Sequence, residues 1–287
     1  MVLLLQLISN GIILGCIIAL GSIGLSLLYG ILKFGNFAHG DMMTLGAYFA
    51  FLFKVQLGMP MWAAFVLAMA LTAFVAIIVD QIIYKSLRKS DSIILLIGSV
   101  GIALILRNFI QLIWGPQNHF YDKGIQMPIK LGLGVRVKPN QILILVVTVA
   151  LVILAHLFLR KTKMGKAMRA MSDNMDLAKV TGINTEQVIK WTWVLGAVLT
   201  AAAGILLGID THLSPSMGWN LLLPLFAATI LGGIGSPYGA MLGGLVIGVS
   251  QELSTLIIPP TYKPGVAFLI MLLMLLIKPT GLMGRSV

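Results

Sequence analysis

The sequence predicts an all-α polytopic membrane protein, and three observations support that prediction. Hydrophobic residues make up 59% of the 287 residues and charged residues only 10%, whereas soluble domains carry about 25% charged residues. The mean hydropathy is +1.01. Several apolar runs reach the roughly 20 residues that a helix needs to cross about 30 Å of hydrocarbon. Because lipid offers backbone amides no hydrogen-bond partners, we expect these runs to be helical.

Apolar segments follow one another along the chain with short polar interruptions. They cover residues 5–29, 38–53, 61–84, 93–114, 140–159, 188–209, 219–235, 237–258 and 264–277. The stretch 219–235 runs into a glycine-rich sequence, and 264–277 is only fourteen residues long. We therefore expect one transmembrane domain over residues 1–287, with about eight transmembrane helices plus a broken or re-entrant segment.

The basic residues predict the orientation, because Lys and Arg concentrate in cytoplasmic loops and at cytoplasmic helix ends. Three clusters follow apolar segments: Lys85, Arg88 and Lys89; Arg160, Lys161, Lys163, Lys166 and Arg169; Lys278 and Arg285. Placing all three in the cytoplasm puts the N-terminus outside and the C-terminus inside. The net charge of +11 is therefore explained without a nucleic-acid partner.

The loop 115–139 opposes this assignment, because it would lie outside and yet holds four basic residues. These are Lys123, Lys130, Arg136 and Lys138. Its Gly, Pro and Asn content, together with Asp122, predicts a folded external hairpin. The denser clusters elsewhere decide the orientation.

Two glycine-rich interruptions resemble each other, at residues 30–47 and 231–245. Each joins two apolar segments and leads into a glycine-containing helix. Paired interruptions in corresponding halves indicate an internal repeat with a central transport site, which would include Gly232, Gly233 and Gly235. The alternative is ordinary close packing of helices through small residues.

Polar and ionisable side chains inside the apolar segments are candidates for the solute pathway, because they are costly in lipid. They are Asn36, His39, Asp41, Arg107, Gln111 and Glu252. Asp41 has two interpretations: capping of a helix start by hydrogen bonds from backbone N–H groups, or contact with a zwitterionic solute. An ion pair between Arg107 and Glu252 is possible, although their spacing gives it no support.

Catalytic and metal-binding motifs are missing from the sequence. The chain has no phosphate-binding loop, since the nearest match around Gly165 and Lys166 lacks the upstream glycine and the hydroxyl residue. The single cysteine, Cys16, cannot form an internal disulfide or a cysteine metal site. We expect no enzymatic activity, no metal and no cofactor in this chain, so any energy from ATP must come from a partner.

Segment 160–187 is the most informative polar region. Asp173 or Asn174 can cap a short helix that Gly182 ends. Four residues give that helix a modest apolar face: Met175, Leu177, Ala178 and Thr181. An amphipathic helix presented to the cytoplasm is suited to docking in a groove of a soluble partner. The alternative is a solvated basic loop.

These features together resemble the permease subunits of ABC importers for branched-chain and other hydrophobic amino acids. The resemblance covers almost the whole chain and is clearest in three stretches. They are residues 29–47, with Asn36-Phe-Ala-His-Gly-Asp41; residues 165–184, with Arg169-Ala170 and Gly182-Ile-Asn184; and residues 231–244, with Leu231-Gly-Gly233 and Gly243-Gly244.

The resemblance implies a set of partners in a prokaryotic inner membrane. They are a second, similar permease in a heterodimer, two cytoplasmic ATPases carrying ATP and Mg²⁺, and an external solute-binding protein. It also implies a coupling helix over 174–184. The expected coupling residues are Arg169, Asn174, Asp176, Leu177, Ala178, Gly182 and Asn184. Residues 176–182 are similar to the Glu-Ala-Ala-x-x-x-Gly pattern of such permeases but differ in its first two letters.

The resemblance implies a neutral or branched-chain amino acid as the substrate, and the sparse intramembrane charge suits any small solute without net charge. The same subfamily is similar to permeases for urea and short amides, which is one alternative. A different class, an ion-driven secondary transporter or a channel, is the other. A channel would have no need of a docking helix in the cytoplasm.

Overall fold

The fold was taken from a computed structural model, which describes residues 2–88, 90–122, 124, 127–130 and 134–284. Lys89, Lys123 and Arg285, which belong to the basic residues used above, lie outside these ranges. The described residues are mainly helical. The helices are α1 (Val2–Leu32), α2 (Ala38–Phe51), α3 (Met61–Val79), α4 (Lys85–Leu87), α5 (Ser92–Trp114), α6 (Pro139–Lys161), α7 (Lys163–Asp173), α8 (Met175–Val180), α9 (Thr185–Asp210), α10 (Met217–Gly232), α11 (Pro237–Ser254) and α12 (Lys263–Ile277).

The helices confirm the predicted all-α polytopic membrane fold. Within the described ranges, six helical stretches are long and apolar enough to cross a membrane. They are Val2–Leu32, Met61–Leu87, Ser92–Trp114, Pro139–Lys161, Thr185–Asp210 and Pro260–Ile277. Turns of π-helix extend α2 through Leu52–Gln56 and join α3 to α4 through Asp80–Tyr84. Helix α10 is shorter and contains Pro224, and it corresponds to the broken segment expected at 219–235.

Helices α1 and α9 form the centre of the molecule, whereas α6 and α12 expose most of their length. Glycines allow α1 and α11 to approach closely, since a Cβ on Gly15 would lie 2.9 Å from the Cα of Leu245. A Cβ on Gly248 would lie 2.3 Å from the backbone nitrogen of Gly15. Small residues at four-residue spacing are the usual means of bringing helices together in lipid. In the second interruption, a Cβ on Gly244 would likewise lie 2.6 Å from the Cα of Ala19, so close packing through small residues occurs there, while the internal repeat stays a prediction.

Helix α2 begins deep inside the molecule instead of at one end. The ring of His39, in its first turn, contacts the carbonyl of Gly21 at 2.9 Å and the hydroxyl of Thr200 at 2.9 Å. Gly21 and Thr200 belong to the central parts of α1 and α9. The start of α10 lies at the same depth, because Gly218 donates its backbone N–H to Thr44 of α2 at 3.0 Å.

The predicted hairpin in loop 115–139 is confirmed in its described part. Strands β1 (Ile129–Lys130) and β2 (Arg136–Val137) pair antiparallel, with Lys130 opposite Arg136. The loop is anchored by Tyr121, whose hydroxyl donates to the carbonyl of Ala47 at 2.8 Å. Burial raises the pKa of that phenol well above its ordinary value, so the group remains a donor.

The second glycine-rich interruption is a turn between α10 and α11. Gly233 and Gly235 have φ angles of +106° and +80°, which side chains with a Cβ rarely adopt. The turn is tied to the C-terminal segment, since the carbonyl of Gly232 accepts a bond from the N–H of Met283 at 2.9 Å. The short helix of this region is therefore α10, which ends at the turn.

Candidate functional site

A buried ion pair between Asp41 and Arg107 joins the first turn of α2 to the middle of α5. Both carboxylate oxygens accept a hydrogen bond from the guanidinium, each at 3.0 Å. The carboxylate is fully buried and the arginine side chain is 17% exposed. This two-bond geometry is the strongest form of such a pair. The side chain of Asp41 is therefore occupied by Arg107 and caps no helix.

Asn36 provides the hydrogen bonding at the helix start that was considered for Asp41. Its side-chain oxygen accepts from the backbone N–H of Ala38 at 3.1 Å and from the hydroxyl of Tyr84 at 2.9 Å. His39 ties α2 to α1 and α9 through the contacts given above. The three polar residues of the first interruption thus all make contacts within the chain, and together they fix where α2 begins.

A cavity of about 1030 Å³ opens at the end of the molecule that carries the 115–139 hairpin. It lies among α1, α9, α10, α11 and the start of α12. Glu252 lines it and forms an ion pair with Lys263 at 2.5 Å. Glu252 and Arg107 each have another partner, so the considered Arg107–Glu252 pair is wrong.

A second cavity, of about 700 Å³, lies at the opposite end of the molecule. Arg169 and Gly235 line it, so two of the predicted residues meet there. Lys33 has a φ of +57°, unusual for a residue with a Cβ, and its ammonium donates to the carbonyl of Ser172 at 3.1 Å. The first interruption therefore contacts the end of α7 directly.

The remaining predicted pathway residues lie apart from both cavities. Gln111 sits one turn after Arg107 on α5 and is half-buried. Gly232 and Gly233 pack against the backbone of the C-terminal segment and of α11. The predicted set is therefore divided: Asp41, Arg107 and His39 form the interior contacts, Glu252 lies at one end, and Gly235 lies at the other.

The short helix predicted in segment 160–187 is confirmed as α8. The side chain of Asn174 caps it by accepting from the N–H of Leu177 at 2.9 Å. Gly182, with a φ of +84°, follows its end. Asn184 in turn caps α9, because its side chain accepts from the N–H of Gln187 at 3.1 Å. Asp176 lies in the exposed first turn of α8.

The predicted apolar face of α8 is partly wrong. Ala178 is 3% exposed, so it packs inward. Leu177 is 61% exposed, and Val180, which the sequence did not single out, is 85% exposed. With fewer than two turns, the helix has only one face that contacts the protein. Ala178 lies on that face, which packs against α7 and α9.

A group of charged side chains braces the end of α3 against the start of α9. Arg88 donates to both oxygens of Asp80, at 2.7 and 2.6 Å, and to Glu186 at 2.9 Å. Lys85 lies 3.5 Å from the same glutamate. The buried Asp80 is therefore a paired charge, and its main partner is Arg88.

Comparison with known proteins identifies the family. Residues 7–275 match the family described as the branched-chain amino acid transport system / permease component. The chain belongs to this family.

Individual relatives extend over nearly the whole of this permease. The Escherichia coli K12 high-affinity branched-chain amino acid transport system permease protein LivH is 34% identical, over 98% of this chain and 96% of that protein. BraD of Pseudomonas aeruginosa is also 34% identical over the same shares. A probable branched-chain amino acid transport permease protein LivH of Methanocaldococcus jannaschii is 28% identical.

A solved structure supports the fold of the permease. It is described as "PsaBC from Streptococcus pneumoniae in complex with Fab", and one of its chains aligns with a TM-score of 0.54 and 16% identity. The alignment covers 94% of the permease and 91% of that chain. At this identity, the likeness supports a shared fold and nothing further.

Two residues of the larger cavity, Trp219 and Asp210, were not predicted from the sequence. Trp219, in the first turn of α10, lines the larger cavity, and the guanidinium of Arg107 lies 4.4 Å from its ring centroid. This distance allows a cation–π interaction. Asp210, the last residue of α9, lines the same cavity. Its position at the end of an apolar segment was the signal that could have found it.

Proposed function

We propose that this chain is a permease subunit of an ATP-driven ABC importer for neutral or branched-chain amino acids. An external solute-binding protein would deliver the amino acid, and a second permease and two cytoplasmic ATPases would complete the assembly. Membership of the permease family and the names of its relatives support this cargo. ATP and Mg²⁺ would bind to the ATPases.

We also propose an orientation in the membrane, which the positions of the basic residues support. We place the larger cavity and the 115–139 hairpin outside, and α7, α8 and the smaller cavity in the cytoplasm. The chain then alternates through its helices with the N-terminus outside and the C-terminus inside. The rule that basic residues favour the cytoplasmic side supports this choice, because α7 is rich in Lys and Arg.

The exposed surface of α8 is the observation that carries the proposal. Leu177 and Val180 project apolar side chains on a capped helix beside the basic helix α7. An exposed apolar surface of this kind is a candidate contact for another protein. Lys33 and Ser172 then connect the end of α7 to the first interruption, so movement of this region would reach the start of α2.

Substitution of Val180 tests the docking role of α8. In Val180→Asp, the buried side of α8 is untouched, so the chain should fold normally while ATPase subunits no longer copurify with it. Gln187→Glu adds a similar charge to an exposed position outside α8 and serves as the control. Copurification is measured after mild detergent extraction through a tag on this chain, and folding by thermal unfolding of the purified variants.

The result also separates the alternatives. If Val180→Asp retains bound ATPase subunits and normal uptake, α8 is not the docking element. An ion-driven transporter or a channel would then be the better supported function for this chain. Ala178→Asp is unsuitable for this purpose, because it would bury a charge inside the protein and disturb folding first.

A further inference from the structure

The larger cavity changes from polar to apolar with depth. On α1, Gln6, Asn10 and Leu14 line it at four-residue spacing, which places them on one face of the helix. On α9, Asp210 lies at the rim and Leu207 lies one turn deeper. The rim can therefore hold a charged group, and the floor can hold an aliphatic one.

The floor is completed by the start of α10. Leu221 and Pro224 lie on its first two turns and line the cavity together with Trp219. The volume of about 1030 Å³ is at the upper end of the range of about 300–1,000 Å³ typical of small-ligand sites. A ligand at the floor would therefore share the cavity with water at the rim.

Asp210 and Lys138, which carry opposite charges, both line the cavity at its rim. Asp210 makes no hydrogen bond or ion pair within the described part of the chain, and Lys138 and Glu252 are the charges that act on it. Glu252 is already neutralised by Lys263. Asp210 also ends α9, where the helix dipole disfavours a negative charge. A bound cation would pair with Asp210 and would also offset the unfavourable helix dipole.

The same cavity also contains a backbone acceptor, the carbonyl of Asn220. Proline has no N–H, so Pro224 leaves the carbonyl of Asn220 without its usual helical donor. Both residues line the cavity. A carboxylate and a free carbonyl are together suited to an ammonium group, which has three donors to satisfy.

We propose that this cavity binds the zwitterion of an α-amino acid with an aliphatic side chain. Asp210 and the carbonyl of Asn220 receive the α-ammonium, Lys138 receives the α-carboxylate, and Leu14, Leu207 and Leu221 contact the side chain. The choice of cargo rests on the proposed function, whereas the assignment of groups rests on the cavity.

Binding of three matched ligands to the full-length chain in lipid nanodiscs tests this assignment. Leucine carries both charged groups, leucinamide lacks the carboxylate, and 4-methylpentanoate lacks the ammonium. The variants are Asp210→Asn and Lys138→Gln, with Asp91→Asn as the control, because Asp91 is an exposed carboxylate at the opposite end of the molecule. Equilibrium binding is measured by calorimetry without ATPases or binding protein.

The expected pattern links each variant to one ligand group. Asp210→Asn weakens binding of leucine and leucinamide roughly tenfold or more, the loss expected for a hydrogen bond to a charged group, and leaves 4-methylpentanoate unchanged. Lys138→Gln weakens leucine and 4-methylpentanoate and leaves leucinamide unchanged. Asp91→Asn has no effect.

The proposal is overturned if Asp210→Asn binds leucine as tightly as the unsubstituted chain. It is also overturned if that chain binds no leucine at millimolar concentration, or binds 4-methylpentanoate equally well. None of these results depends on ATP-driven uptake. If the assembly imports leucine but this cavity does not bind it, the inference is rejected and the proposed function stands.

Discussion

At the scale of single residues, the Asp41–Arg107 pair determines how α2 is held inside the membrane domain. A charge removed from water is stable only when it is paired and hydrogen-bonded. Here the carboxylate receives two bonds from one guanidinium, which in turn lies against Trp219 at the edge of the larger cavity. The pair therefore links α2 and α5 to the start of α10.

Replacing one member of this pair should destabilise the protein more than replacing both. Arg107→Met leaves Asp41 as an unpaired buried charge and should cost about 3–5 kcal/mol. The double variant Asp41→Asn with Arg107→Met should recover much of that loss. Reversible unfolding in mixed micelles, compared across both single variants and the double variant, gives the coupling. Strictly additive losses would contradict the account.

The sequence identified both members of this pair but not their pairing. A charge in an apolar segment is visible because its cost in lipid is known from its type alone. Asp41 and Arg107 are 66 positions apart, so only the packing of α2 against α5 decides that they meet. Trp219 carried no such signal, because an aromatic residue near a helix start is common at membrane interfaces.

At the scale of elements, close crossing of α2 and α10 sets the depth at which both helices begin. A Cβ on Gly218 would lie 1.8 Å from the carbonyl oxygen of Gly40. No side chain fits at that distance, so the two helix starts touch through their backbones. Their contact also forms the base on which Trp219 lies at the larger cavity.

Gly218→Ala should therefore separate the two helix starts and lower the stability. Overpacking of this kind costs about 1–3 kcal/mol, which thermal unfolding in detergent measures as a lower Tm. Gly101→Ala is the matched control, because a Cβ at Gly101, in α5, meets nothing within 4 Å. Equal Tm values for the two variants would show that α2 and α10 do not cross as described.

The elements differ in how well the sequence predicted them. Long apolar segments were located closely, since the need to satisfy backbone amides in lipid leaves the helix as the favoured form. The ends of α8 were also predicted, because Asn174 and Gly182 are local signals. Its exposed face was not, since contacts with the rest of the chain decide which side of a six-residue helix is buried.

At the scale of the whole molecule, polar contacts concentrate at two opposite ends. One end holds the hairpin, the pair of Lys54 with Asp122 and the larger cavity. The other holds α7, α8 and the charged group around Arg88. The sequence predicted which residues share an end through the alternation of segments, but the larger cavity depends on the recessed start of α10, which lines it.

The orientation can be tested with single cysteines in intact cells. In a Cys16→Ala background, Asp122→Cys should react with a membrane-impermeant maleimide from outside. Asp176→Cys should react only after the cells are permeabilised, because we place α8 in the cytoplasm. The unsubstituted chain, whose one cysteine, Cys16, is buried, serves as the unreactive control. Labelling of Asp176→Cys in intact cells would reverse the proposed orientation.

The central claim is that this chain forms an amino-acid pathway that is driven by ATP hydrolysis on other subunits. The most direct measurement is uptake of radiolabelled leucine into proteoliposomes containing the assembly purified through a tag on this chain. The external solute-binding protein is added outside, ATP is placed inside or outside, and no ion gradient is imposed. The account predicts uptake only when ATP is on the α8 side, with loss of uptake in Val180→Asp. Uptake without ATP, driven by an imposed ion gradient, would contradict it.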